Sequence, residues 1–96
     1  MIVDCHGHYT TAPKALEEFR KRQIDGLKDP KLSPARDSLQ ISDDQLRESL
    51  EGAQLKLQRA RGTDLTIFSP RAGGMGHHIG NAATSALWSG ICNELI

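Results

Sequence analysis

Two histidines separated by one residue lie near the start of the chain, and their types and spacing suit metal binding. A β-strand alternates its side chains between two faces, so Asp4, His6 and His8 can share one face. Two imidazoles on one face can bind a single divalent ion, because such ions accept neutral histidine nitrogen. The spacing alone is weak evidence, since two histidines also fall this close by chance or at a surface.

A second set of polar side chains follows a second apolar run, where Ser69 and Arg71 flank a proline. In α/β barrels the chemistry lies at the carboxyl ends of the strands, so these residues would share a rim with His6 and His8. A planar guanidinium binds carboxylates through two hydrogen bonds. Arg71, with Ser69, is therefore a candidate for binding a carboxylate substrate. The alternatives are a surface arginine and a serine that satisfies a turn.

The glycine-rich segment at positions 72–76 resembles a phosphate-binding loop only superficially. It lacks the G-x-x-x-x-G-K-[ST] arrangement and the Rossmann glycine spacing, which argues against nucleotide binding. We expect a mobile loop that carries His77 or His78 toward the substrate, and His78 is the substrate-binding candidate. The alternative is a structural histidine near a helix start. Adjacent side chains point apart, so this pair does not easily bind one ion.

The elements that position these groups follow from periodicity and capping signals. Ser42 and Gln45 form a capping box at the start of the best-marked helix, and Gly62 supplies its left-handed end. The continuous apolar run before Ser69 fits a parallel strand that is covered on both faces. The predicted order is a buried strand at 2–6, a turn at Gly7, a helix from Pro13 to Gly26, a polar connection at 28–39, a helix at 42–61, a strand at 64–69 and a helix at 81–96. This order predicts an α/β fold with two parallel strands.

Composition limits the classes of partner. Twelve basic and twelve acidic residues cancel, so no net field recruits nucleic acid or an anionic membrane. Cys5 and Cys92 are too few for a disulfide scaffold, and no stretch reads as a signal peptide or a spanning segment. We predict a cytoplasmic protein without nucleic-acid or membrane partners. The 96 residues fall far short of the ~250 of an eight-stranded barrel, so we interpret the chain as truncated.

Several segments together carry a resemblance to a known family. They are IVDCHGHY at 2–9, TTAPKAL at 10–16, ISDD at 41–44, GTDLTIFSPRA at 62–72 and HHIG at 77–80. These segments resemble the 4-oxalomesaconate hydratases of the amidohydrolase superfamily, which are zinc-dependent and related to the aminocarboxymuconate-semialdehyde decarboxylases. The resemblance implies that residues 1–96 are the N-terminal fragment of a single TIM-type (β/α)8 barrel domain, with its first two parallel strands and their helices.

The resemblance also implies a reaction and a ligand set. The reaction is addition of water to the carbon–carbon double bond of 4-oxalomesaconate, in the protocatechuate 4,5-cleavage route of aromatic degradation. Zn²⁺ or another divalent metal would be held by His6 and His8. From its place before the pair, Asp4 is expected either to anchor the strand end or to orient a ligand. A further histidine and an acidic ligand, and the general acid, would come from beyond Ile96. The fragment alone is expected to be inactive.

Two other interpretations remain open. The His-x-His strand is common to metal-dependent hydrolases and decarboxylases of the same superfamily, so it does not by itself select the hydratase. The chain could also be a non-catalytic fragment or an interaction domain. An isolated two-stranded piece exposes its sheet edges and would tend to aggregate or form homo-oligomers.

Overall fold

A computed structural model describes the backbone of residues 1–96 and all side chains except those of residues 72 and 73. The elements in order are β1 (Val3–Tyr9), α1 (Lys14–Asp25), two 3₁₀ turns (Pro30–Leu32 and Arg36–Ser38), α2 (Asp43–Ser49), a π-helical segment (Leu50–Gln54), α3 (Leu55–Ala60), β2 (Leu65–Pro70), α4 (Ala72–Met75) and α5 (Ala82–Glu94).

The two strands lie parallel, which confirms the predicted α/β arrangement. Val3 pairs with Leu65 and Tyr9 pairs with Pro70, and the register shifts between Asp4 and Gly7. Both strands therefore end at the same edge of the sheet.

The predicted turn at Gly7 is wrong, because β1 continues through this residue to Tyr9. Gly7 instead permits a close approach of the strands. A Cβ atom at this position would lie 2.4 Å from Cγ2 of Thr66 and 2.9 Å from the carbonyl oxygen of Ile67. Glycine is thus required by strand packing.

The core lies between α1 and α5. It contains Phe19, which is fully buried, together with Trp88, Ile91 and Cys92. The helix predicted at 81–96 is slightly shorter at both ends and spans Ala82–Glu94, with Asn81 as its N-cap and Leu95 as its C-cap.

The capping box at Ser42 and Gln45 is present, as predicted, and Gly62 has the expected left-handed φ of 80°. The helix between them is not uniform. The backbone N–H of Leu55 donates to the carbonyl of Leu50, five residues earlier, which makes Leu50–Gln54 a π-turn. Sequence periodicity did not predict this π-turn.

The strands are less covered than predicted. Val3, Leu65 and Ile67 are 48%, 56% and 57% exposed. Val3 pairs with Leu65 on the neighbouring strand, and Leu65 and Ile67 lie on one face of β2. The three side chains therefore form an apolar surface. Among the described residues, no helix is long and apolar enough to cross a membrane.

Candidate metal centre

His6 and His8 meet on one side of β1. Their Nε2 atoms lie 3.0 Å apart, and the rings meet edge to face with centroids 4.7 Å apart. His6 is exposed and His8 is half-buried. The period-two argument from sequence therefore places the two rings correctly, in spite of the register shift within the strand.

The ring of His8 is fixed by the end of the neighbouring strand. Its Nδ1 lies 3.0 Å from the carbonyl oxygen of Pro70 and 2.9 Å from Oγ of Ser69. A carbonyl oxygen can only accept, so Nδ1 of His8 carries the hydrogen. The Ser69 hydroxyl donates to the carbonyl of Gly7 over 3.2 Å and offers a lone pair to the same Nδ1–H. Nε2 of His8 consequently presents its lone pair toward His6.

Asp4 acts on the main chain of this segment. Its Oδ1 accepts a hydrogen bond of 3.0 Å from the backbone N–H of His6. The Asp4 carboxylate thus binds the main chain at His6 and not an imidazole ring. Asp4 thereby fixes the backbone direction at His6.

The histidine pair fits part of a zinc site. Two Zn–N bonds of 2.0–2.1 Å at a tetrahedral angle place their nitrogens about 3.3 Å apart, close to the 3.0 Å observed. Catalytic zinc commonly has three protein ligands. Among the described side chains, no group of three or more His, Cys, Asp and Glu residues converges. The described side chains therefore bring together two candidate ligands, fewer than such a site requires.

The segment after β1 is held by the π-turn, through residues that sequence reasoning missed. Gln54 Nε2 donates to the carbonyl of His8 over 2.6 Å, and its Oε1 accepts from the backbone N–H of Thr10 over 3.2 Å. The hydroxyl of Thr11 donates to the carbonyl of Ser49 over 2.8 Å. A polar residue in a helix gives no sequence signal for such contacts, since an exposed face has the same composition.

The other predicted site residues lie elsewhere on this edge. Arg71 is exposed and lines a cavity of about 450 Å³. This cavity lies between α1, α5 and the strand ends, and its lining includes Tyr9, Arg20 and Trp88 rather than the two strand histidines. The structure does not bring Arg71 into contact with the histidine pair.

The histidines after the glycine-rich segment differ in their contacts. Nδ1 of His77 lies 3.0 Å from Oγ of Ser85 at the start of α5. His78 is exposed. The first contact agrees with a structural histidine near a helix start. Placement of His78 in a substrate site stays a prediction.

Core side chains bind the carbonyls of the glycine-rich segment. Arg20, which is 9% exposed, donates to the carbonyls of Met75 and Gly76 over 3.1 and 3.4 Å. Trp88 Nε1 donates to the carbonyl of Gly74 over 3.0 Å, and the guanidinium lies 4.8 Å from the Trp88 ring centroid. Burial lowers the pKa of Arg20 from its usual value, and the nearby Cys92 opposes this shift.

The chain is similar over its whole length to two hydratases. It is 48% identical over 96 residues to the 2-keto-4-carboxy-3-hexenedioate hydratase of Sphingobium sp. (strain NBRC 103272 / SYK-6), covering 100% of this chain and 28% of that protein. The crystal structure of 4-oxalomesaconate hydratase from Rhodopseudomonas palustris matches with 56% identity and a TM-score of 0.90, covering 99% of this chain and 28% of that one. No protein-family model matches the chain. The chain thus spans little more than a quarter of the length of these relatives.

Proposed function

We propose that this chain, which is homologous over its whole length to part of the 4-oxalomesaconate hydratases, is a piece of a metal-dependent lyase that hydrates 4-oxalomesaconate. The whole-length likeness to two hydratases supports the reaction, and the histidine pair, whose Nε2 atoms lie 3.0 Å apart, supports its metal dependence. The reaction adds the hydroxyl of water to one carbon of a double bond and a proton to the other. The decarboxylase and hydrolase alternatives share the strand motif, but both similar proteins are hydratases.

The proposed fold of the whole protein is a (β/α)8 barrel in which residues 1–96 form part of one domain. Two parallel strands joined by helices are the repeating unit of such a barrel. Further strands and helices would cover the apolar surface formed by Val3, Leu65 and Ile67. If the chain occurs alone, this apolar face and the unpaired edges of the two-stranded sheet both favour homo-oligomerisation.

The proposed cofactor is Zn²⁺ or another divalent ion, held by His6 and His8. Such an ion would supply Lewis-acid activation of water for the addition. The chain's own contribution is to hold the two imidazole rings side by side in fixed directions. Asp4 holds the peptide at His6, and the Pro70 carbonyl holds the ring of His8 in the required tautomer. A third ligand and the general acid would come from the rest of the protein.

The proposed substrate-binding groups are Arg71, His78 and Ser69. Arg71 and His78 are exposed, and a guanidinium beside a strand end suits one of the substrate's carboxylates. Ser69 could add a hydrogen bond to the same carboxylate only by releasing the carbonyl of Gly7. A small polycarboxylate is therefore the proposed partner, with no nucleic acid or membrane involved.

A chimera tests this function directly. The stretch of the Rhodopseudomonas palustris hydratase that matches this chain is replaced by residues 1–96, which cover 28% of that protein. Zinc content is measured by elemental analysis, and hydration is followed as loss of ultraviolet absorbance of the conjugated double bond. We expect about one zinc per chain and hydration of 4-oxalomesaconate.

Matched variants separate metal binding from substrate binding. His6→Ala and His8→Ala should remove zinc and activity together, whereas His77→Ala should keep both. Arg71→Met should retain zinc and raise KM about ten- to a hundredfold, because charge-assisted hydrogen bonds contribute roughly 1.5–3 kcal/mol. A folded chimera that hydrates the substrate equally well after both histidines are replaced would refute the proposed site.

A further inference from the structure

We propose that Gln54 is a positioning residue that sets the direction in which His8 presents its metal-binding nitrogen. The inference rests on the proposed metal centre and goes beyond it, because Gln54 lies 46 residues from His8 in sequence and is not a ligand. Its side chain contacts the main chain on both sides of Tyr9, at the carbonyl of His8 and at the N–H of Thr10.

The amide of Gln54 matches the backbone that it contacts. Its amino group donates to the carbonyl of His8 over 2.6 Å, while its oxygen accepts from the N–H of Thr10 over 3.2 Å. A flipped amide would place two donors against each other at Thr10 and two acceptors at His8. The orientation is therefore determined by the contacts, and the amide acts as a short piece of neighbouring strand.

The π-turn places Gln54 in this position. A π-turn inserts one residue into a helix and shifts the following side chains around the axis. In this chain the turn ends at Gln54, and the carbonyl of Ser49 at its start accepts from the Thr11 hydroxyl over 2.8 Å. The side-chain oxygens of Ser49 and Tyr9 are also hydrogen-bonded to each other. Hydrogen bonds from Ser49 and Gln54, at the two ends of the π-turn, thus hold residues 8–11 from one side.

These contacts complete the fixation of His8. The Pro70 carbonyl fixes its ring from β2, and Gln54 fixes its peptide from the helix. A ring held only at Nδ1 would still move with its backbone. Loss of the Gln54 amide should therefore lower metal affinity without removing a ligand, as replacement of residues behind metal ligands commonly does.

The same helix supplies a matched control. Gln58 is also half-buried, and its Oε1 accepts from Oγ1 of Thr66 over 2.9 Å, on the other strand. The test compares Gln54→Met, Gln54→Glu and Gln58→Met in the chimera with the Rhodopseudomonas palustris hydratase, whose remaining part would supply the further ligands. Glutamate keeps the acceptor for the Thr10 N–H but removes the donor to the His8 carbonyl. It therefore tests this contact with little change of shape.

Zinc affinity is measured by competition with a chromophoric chelator, and the absorption spectrum of the Co²⁺-loaded chimera reports ligand geometry. Hydrogen exchange of the Thr10 amide reports the backbone contact without metal. We expect the two Gln54 variants to bind zinc about ten- to a hundredfold more weakly, with an altered Co²⁺ spectrum. Gln58→Met should match the unsubstituted chimera in zinc affinity and in the Co²⁺ spectrum. Loss of binding in His8→Ala should show that the zinc measured is bound at the histidine pair.

Three results would count against the inference in distinguishable ways. If the unsubstituted chimera binds zinc and Gln54→Met binds it equally tightly, the inference alone is overturned. The inference is also overturned if Gln54→Met and Gln58→Met weaken zinc binding equally, because the effect is then general destabilisation. A folded chimera without substitutions that has no zinc affinity would overturn the proposed metal centre together with the inference.

Discussion

Nδ1 of His8 on β1 lies 3.0 Å from the carbonyl oxygen of Pro70 at the end of β2. These residues are 62 positions apart, so the parallel pairing of the strands selects the tautomer of a candidate metal ligand. The hydrogen on Nδ1 leaves the lone pair on Nε2, the atom that faces His6. Pairing of the two strands therefore also sets the tautomer of His8.

The tautomer of His8 should survive removal of the neighbouring hydroxyl. In Ser69→Ala the Pro70 carbonyl still accepts from Nδ1, so we expect the Nδ1–H form in both proteins. The ¹⁵N chemical shifts of the His8 ring, recorded in the metal-free chain at pH 8, measure this directly. Finding the Nε2–H tautomer in the wild-type chain would contradict the assignment.

Gly7→Ala should destabilise the sheet. The new Cβ would lie 2.4 Å from Cγ2 of Thr66 and 2.9 Å from the Ile67 carbonyl oxygen, so the strands must separate. Overpacking of this kind costs about 1–3 kcal/mol in free energy of unfolding. Urea denaturation measures the loss. Adding Thr66→Ser should restore only part of it, because the carbonyl contact remains.

Gly52→Ala is the control for this substitution. A Cβ at Gly52 would meet nothing within 4 Å, and the residue lies in a helical segment. Alanine there should leave the free energy of unfolding unchanged or raise it by up to about 1 kcal/mol. Equal losses in both alanine variants would mean that strand contact is not the cause at Gly7.

Local signals in the sequence predicted the elements that depend on neighbouring residues. The capping box at Ser42, the left-handed Gly62 and the shared face of His6 and His8 each follow from spacings of a few residues. Parallel pairing of the strands followed from their order along the chain. These features need no knowledge of distant contacts.

The contacts that organise the site depend on distant residues and were not predictable. Arg20 stands among charged residues in the sequence, which suggests an exposed position, yet it is buried against Trp88. Gln54 reaches His8 only because a π-turn interrupts the helix, and helical periodicity carries no signal for that interruption. Exposure of the strands also differed from expectation, because two strands alone leave an apolar surface uncovered.

Arg20→Met should destabilise the chain more than an arginine-to-methionine change nearby. Arg20 donates to Oε1 of Gln23 over 2.7 Å and to the carbonyls of Met75 and Gly76, so methionine leaves these acceptors without a donor. Unsatisfied buried acceptors cost roughly 1–3 kcal/mol. Thermal and urea unfolding provide the measurement.

Arg22→Met is the matched substitution for Arg20, since this side chain is exposed on the same helix. Its effect on the free energy of unfolding should stay within about 0.5 kcal/mol. Hydrogen exchange at residues 74–76 should accelerate in Arg20→Met and not in Arg22→Met. Equal effects of the two substitutions would show that the buried guanidinium does not hold this segment.

Stability should fall at alkaline pH because of Cys92. Burial raises the pKa of its thiol, and the nearby Arg20 guanidinium offsets part of the shift. Above the ordinary thiol pKa of about 8.5 the unfolded chain has lost a proton that the folded chain retains. The folded state then binds more protons, so the free energy of unfolding decreases as pH rises, by at most about 1.4 kcal/mol per pH unit from this group.

Urea denaturation from pH 7 to 10 should show a steeper decline in the wild-type chain and in Cys5→Ser, whose substituted position is exposed, than in Cys92→Ala. Parallel declines in all three proteins would assign the pH dependence to other groups.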